Sequence, residues 1–159
     1  MSVRRATSSD TIALVRLINR AYVAEAHIFD GERTDEAEIR ERLARPNACF
    51  LVIDDEQNGD SVGLAAAVYV ELRGDRGYFG MLSVDPDRQG RGLGRTLIAA
   101  AEAHCSAAGC AHMDIDVVDQ RPELPGFYSA LGYSTRGSTP FSNPRCKLPV
   151  SMIHMAKQL

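Results

Sequence analysis

Between Gln89 and Arg95 the chain reads Q-G-R-G-L-G-R, so Gly90, Gly92 and Gly94 alternate with larger residues and Arg88, Arg91 and Arg95 surround them. Glycines let successive backbone N–H groups converge without obstruction by Cβ. A helix beginning here adds unpaired donors and the positive end of its dipole. That combination makes a pocket for phosphate. Arg91 and Arg95 are four apart and can share a helix face. A nucleoside-triphosphate loop is excluded, because G-x-x-x-x-G-K-[ST] is absent. A dinucleotide fingerprint requires G-x-G-x-x-G after the first strand of a parallel sheet, whereas the glycines here run G-x-G-x-G after a hairpin. A glycine-rich turn without a ligand stays open as an alternative.

The flanking elements must place this segment. Residues 77–84 (GYFGMLSV) read as a strand, Asp85-Pro86 turns the chain, and a helix runs from about Gly94 to Ala108 with Gly109 as its stop. Residues 62–72 (VGLAAAVYVEL) pair with 77–84 across RGDRG as an antiparallel hairpin. Upstream, residues 2–6 form a short strand, and Ser8-Ser9-Asp10 supplies capping chemistry for a first helix. Ile12, Leu14, Val15, Leu17 and Ile18 recur along that helix with a helical period. Residues 24–34 read as a loop or broken helix, and Thr34 caps a second helix that ends before Pro46. ACFLVIDD (48–55) is a strand followed by the turn EQNGD. Downstream come a strand at 112–118, a short helix at 125–132, and two strands, YSTRG and PVSMIHMAKQL. The order implies a mixed α/β (α+β) domain with one β–α–β unit.

The length of 159 residues suits a single domain over 1–159. Net charge is −3, with 21 acidic against 18 basic residues, which argues against a nucleic-acid partner. No apolar run approaches the ~20 residues that span a bilayer, so no membrane association is expected. Arg16 interrupts the only apolar stretch near the start, which predicts a cytoplasmic protein without a secretory signal. His104, Cys105, Cys110 and His112 superficially resemble a metal set, but they lack paired spacing, and partly buried thiols are the better reading. No metal is expected.

Two blocks carry a family resemblance. Gln89, Gly92 and Gly94, after the lead-in LSVDP, resemble the acyl-CoA motif of the GNAT acetyltransferase superfamily. Phe127-Tyr128-Ser129-Ala130-Leu131-Gly132-Tyr133 resembles its F-Y-x-x-L-G-[FY] block. The resemblance is sharpest from residue 77 to 133. It implies a mixed, mostly antiparallel sheet, splayed between its fourth and fifth strands and flanked by about four helices. It further implies acetyl-CoA as cosubstrate. Backbone groups of Leu82 and Val84 would hold the pantetheine arm like an added strand. The Leu82 N–H would polarise the thioester carbonyl. The amides from Gln89 through Gly90, Arg91, Gly92 and Gly94 to Arg95 would hold the pyrophosphate.

Tyr128 is the implied acid, since a phenol with a pKa near ~10 is protonated at neutral pH and can protonate the leaving thiolate. The chain departs from the family at two points. The strand position that often bears a glutamate base is Tyr78, leaving Glu71 on the partner strand, a water chain, or no strong base at all. Where an asparagine often contacts the cofactor stands Arg121, which either takes over that cofactor contact or sits in solvent. The acceptor is expected to be an amine of a small molecule or peptide. Glu25, His27, Asp30, Glu32 and Arg33, between the first two helices, are implied to line its site, and the TPFSNPRCKLP loop closes the other side. The protein is expected as a monomer or homodimer. A non-enzymatic acyl-CoA-binding sensor on the same fold is the second reading, favoured by the missing strand carboxylate and opposed by Tyr128.

Overall fold

The computed structural model describes residues 2–56 and 63–159. Its sheet is built from β1 (Val3–Arg5), β2 (Ala48–Asp54), β3 (Leu64–Arg73), β4 (Arg76–Val84), β5 (His112–Val118), β6 (Ser134–Phe141) and β7 (Val150–Gln158). The strands lie in the order β1-β2-β3-β4-β5-β7-β6. Every pairing is antiparallel except β4–β5. The helices are α1 (Thr11–Ala21), α2 (Glu36–Ala44), α3 (Leu93–Ala107) and α4 (Glu123–Ala130). The expected mixed sheet with a β–α–β unit is therefore present, with α3 crossing from β4 to its parallel neighbour β5.

Both faces of the sheet are covered. Leu14, Leu17 and Ile18 of α1 and Ile39 of α2 pack on Phe50, Val52, Ala67 and Tyr69. Leu93, Leu97, Ile98, Ala101 and Cys105 of α3 pack on the opposite face, against Leu51, Ile53, Val68 and Phe79. This double coverage explains why β3 reads as a continuous apolar run: Leu64 to Val70 are all buried. The side chains at Ala65, Ala66 and Ala67 are small, which lets helices approach from both sides. Gly77 serves the same end, because a Cβ there would lie 2.5 Å from Cys105 Sγ. Ile12 alone breaks the expected apolar stripe of α1 and is 58% exposed.

Several boundaries differ from the sequence reading for local reasons. Ser8–Asp10 is a 3-10 turn leading into α1, and Asp10 accepts from the Thr7 N–H at 2.8 Å. Asp35, not Thr34, caps α2 by accepting from the Glu38 N–H at 2.8 Å, while the Thr34 hydroxyl donates to the Glu38 carboxylate. The β3–β4 turn is tight, with Arg73 opposite Arg76 and Gly74 at φ 69°. Most of the EQNGD turn lies outside the described residues.

Two features of β4 open and shape a cleft beside it. Its pairing with β5 is confined to Arg76–His112, Gly77–Met113 and Tyr78–Asp114. Beyond Tyr78 the strands part, leaving one backbone edge of β4 without a strand partner. β4 also carries a bulge: Ala67 faces Ser83 and Tyr69 faces Gly80, so Val68 stands opposite both Met81 and Leu82. Met81 has φ 50°, a left-handed conformation costing about 1–2 kcal/mol for an ordinary residue. The extra residue reverses the alternation. Phe79, Leu82 and Val84 pack toward α3, while Met81 joins the α1 face.

Candidate active site

The parting of β4 and β5 opens a cleft of about 1220 Å³. Ligand pockets usually hold roughly 300–1,000 Å³, so this one has room for an elongated ligand or for two molecules together. One wall is Phe79 to Leu82 and Val84 of β4; the other is Ile115 to Val118 of β5. Gln89, Gly90 and the start of α3 close one end. The segment after α1 and the β6–β7 loop close the other, with Phe29, Arg33, Phe141 and Arg145 on its lining.

At the α3 end, Gly90 and Gly92 have φ 80° and 76°, and a Cβ on either would meet nothing within 4 Å. The left-handed turns are what require glycine here. The first helical hydrogen bond runs from the Thr96 N–H to the Gly92 carbonyl at 3.0 Å, and no side chain caps the helix. The N–H groups of Leu93, Gly94 and Arg95 precede that bond and are free to bind an anion. Gly94 packs its Cα side against Val84 and Leu82. Arg95 lines the cleft and lies 5.8 Å from the Phe127 ring centroid. The other two arginines are placed differently. Arg91 is exposed and off the cleft lining. Arg88 turns back to Asp55 at 3.2 Å.

Tyr128 lines the cleft. It is 8% exposed and packs among Phe79, Phe127 and Tyr133, with ring centroids 5.1–6.1 Å away. Its hydroxyl has no hydrogen-bond partner among the described residues. Burial pushes its pKa up to about 12; the nearby Arg121 charge opposes that rise. Arg121 also lines the cleft, where it bridges Glu25 at 3.3 Å and Glu123 at 3.0 Å. Tyr78 also lines the cleft, with its ring folded over Gly80, whose missing Cβ would stand 2.6 Å from the Tyr78 hydroxyl. Burial raises the Tyr78 pKa, the Asp116 charge raises it further, and the Arg73, Arg42 and Arg33 charges lower it.

Of the residues implied at the acceptor site, Glu25, Glu32 and Arg33 line the cleft, as does Tyr78. His27 and Asp30 are exposed and off the lining. Glu71 is also off the lining: it is bound by Arg45 at 3.2 Å, Arg73 at 2.8 Å and the Tyr69 hydroxyl beneath α2. Sequence reasoning missed Asp116, whose carboxylate lies on the β5 wall and is held by His154 Nδ1 at 2.5 Å. The signal was present. HMDIDVV alternates, so Ile115 and Val117 enter the core while Asp114 and Asp116 share the other face.

Residues 13–133 match the model of the acetyltransferase (GNAT) family. The chain belongs to that family. An acetyltransferase from Yersinia pestis (strain Pestoides F) is 35% identical over 101 residues, covering 64% of this chain and 68% of the relative. Among solved structures, the ribosomal-protein-alanine N-acetyltransferase from Brucella melitensis superposes with a TM-score of 0.80 at 17% identity, covering all of both chains. A GNAT phosphinothricin acetyltransferase from Sinorhizobium meliloti, solved in complex with acetyl-CoA, gives a TM-score of 0.79 at 16% identity over 99% of this chain and 88% of that one. The chain shares the fold of these structures, which in this chain is a mostly antiparallel seven-stranded sheet with one parallel pair, β4–β5.

Proposed function

We propose that this GNAT protein transfers acetyl from acetyl-CoA to a primary amine, by direct attack with both substrates bound. The observation that carries this reading is the wedge between β4 and β5, with an uncapped glycine-rich helix start at one end and, on its lining, Tyr128, whose ring is buried and whose hydroxyl has no partner among the described residues. The site suits the cosubstrate. Gly90 and Gly92 leave open space where side chains would block a pyrophosphate. The partnerless edge of β4 can bond an extended pantetheine arm. Acetyl-CoA supplies an activated acyl group on a thiol leaving group.

The remaining chemistry belongs to the chain. The N–H groups of Leu93, Gly94 and Arg95 bind the pyrophosphate, with Gln89 and Gly90 shaping the approach. The bulge at Met81 presents Leu82 at the wedge, where its N–H donates to the carbonyl oxygen as charge develops there. Asp116 takes one proton from the acceptor ammonium. The nitrogen lone pair then forms the C–N bond as the C–S bond breaks. Tyr128 gives its proton to the sulfur; of the two protons left on the nitrogen, one restores the phenol and the other stays on the product amide, while Asp116 passes its proton to solvent. A hydroxyl held protonated by burial suits that role. Asp116 supplies the carboxylate that β4 lacks, which weakens the sensor reading. We further propose that the protein acts in the cytoplasm.

The test is thiol release from acetyl-CoA against a panel of amines. Amine-dependent release with formation of the N-acetyl product supports the reading. CoA binding with no release from any amine would favour the sensor instead.

A further inference from the structure

Two residues of opposite charge, Arg33 and Asp116, stand on the cleft lining with Tyr78. The Arg33 charge lowers the Tyr78 pKa and the Asp116 charge raises it, so both groups lie within electrostatic reach of one hydroxyl. Arg33 is lightly committed: its nearest carboxylate is Glu38 at 3.9 Å, and Glu38 already takes Arg42 at 3.2 Å. Its other contact is the face of the Tyr22 ring, 5.2 Å from the centroid.

A second guanidinium stands on the same turn. Arg145, from the β6–β7 loop, donates to the Asp30 carbonyl at 2.7 Å and to the Glu32 carbonyl. Its partners there are backbone groups, so its charge is not cancelled by a carboxylate. Asp30 in turn donates its N–H to the Arg145 carbonyl at 2.7 Å, and Phe29 bridges Cys146. The two loops are thereby tied into a roof over the acceptor end. Beneath it, Phe29 and Phe141 meet edge-to-face at 6.2 Å, with Met152 beside them, giving an apolar wall. Glu32 also stands on the cleft lining, so a dicationic amine is the rival occupant.

We propose that the acceptor is a free α-amino acid with an apolar side chain: Arg33 binds its carboxylate, Asp116 its ammonium, and the Phe29–Phe141–Met152 wall its side chain. An α-amino acid carries a carboxylate for Arg33 and an ammonium for Asp116 on one small molecule. Arg145 adds positive potential on the carboxylate side while holding the roof in place. The proposal rests on the acetyltransferase reading for the fate of the amine, and its binding component stands apart from that reading.

The experiment uses matched sets: leucine, leucinamide and isoamylamine, the corresponding methionine and phenylalanine sets, and agmatine as a dicationic amine. Thiol release is followed with acetyl-CoA. Binding of the same compounds to the CoA-saturated protein is followed by calorimetry. The free amino acid of at least one set should exceed its amide and its decarboxylated amine by roughly 10–10²-fold in kcat/KM, the range expected for a charge-assisted pair. Arg33→Met, at a one-third-exposed position, should remove that advantage through KM and cost the free amino acids far more than the carboxylate-free amines. Equal or better use of an amide, an alkylamine or agmatine would overturn the proposal, as would an equal effect of Arg33→Met on every acceptor. If leucine binds the CoA complex through Arg33 but no thiol is released, the amino-acid site stands as a binding site and the enzyme reading falls, with the acceptor role. If no amino acid binds, the assignment falls, whatever the other amines do.

Discussion

Tyr78 of β4 and Asp114 of β5 form the last register pair before the two strands diverge. The next side chain on that face of β5 is Asp116, which is already in the open cleft. The placement of the acid therefore follows from where the ladder stops. Asp116→Asn keeps the shape and removes the proton acceptor. A positioned base typically contributes roughly 10²–10⁴-fold, so kcat should fall by about that order while CoA affinity stays level. Steady-state kinetics with calorimetry on the same preparation checks this. An unchanged kcat would remove Asp116 from the mechanism.

The helix start makes a separate prediction. Gly92 has φ 76°, so any substitution there is strained, by about 1–2 kcal/mol for an L residue. Gly92→Ala and Gly92→Glu share that strain, but only Glu adds bulk and negative charge where the pyrophosphate would lie. CoA affinity measured by calorimetry should survive Ala, weakened at most modestly, and be lost with Glu. Equal affinity in both variants would place the phosphates elsewhere.

How far the sequence revealed the site depended on whether local chemistry or tertiary pairing decided each position. The glycine-rich segment and Tyr128 were legible because turn conformation and motif are written locally. The second half of β4 was not. GYFGMLSV reads as a regular alternating strand, and only pairing with β3 exposes the bulge at Met81 that turns Leu82 and Val84 toward α3. Glu71 was a reasonable candidate base from its hairpin position, but Arg45 and Arg73 draw it under α2. Arg88 was read with the phosphate cluster, yet it pairs with Asp55, which comes from a distant part of the chain. Such long-range ion pairs leave no periodic trace in a sequence.

Stability should depend on pH through the first strand. Arg4 bonds Asp10 at 2.9 Å and Asp54 at 2.8 Å, and these hydrogen bonds hold both carboxyls below the usual carboxylate range. A lowered folded-state pKa means the stabilisation is present above the unfolded value, near ~3.9, and is lost as pH falls through the folded value. The urea midpoint should therefore decline as pH drops from about 5 to 3. Asp10→Asn should cost about 1–2 kcal/mol at pH 7, as for a partly exposed charged hydrogen bond, and should flatten that decline. A decline of the same steepness in the variant would assign it to other carboxylates.

The central claim is that Tyr128 protonates the departing thiolate, and Tyr128→Phe tests it most directly by deleting only the hydroxyl. The measurement is single-turnover acetyl transfer with a working amine, beside calorimetric CoA affinity for the same variant. Because burial pushes the phenol up to about 12, the wild-type rate should show no loss from its ionisation up to pH 10. The predicted result is a fall of roughly 10²–10⁴-fold in the chemical step with CoA affinity little changed. An unchanged single-turnover rate would contradict the acid role, and an equal loss in CoA affinity would make Tyr128 a cofactor contact instead.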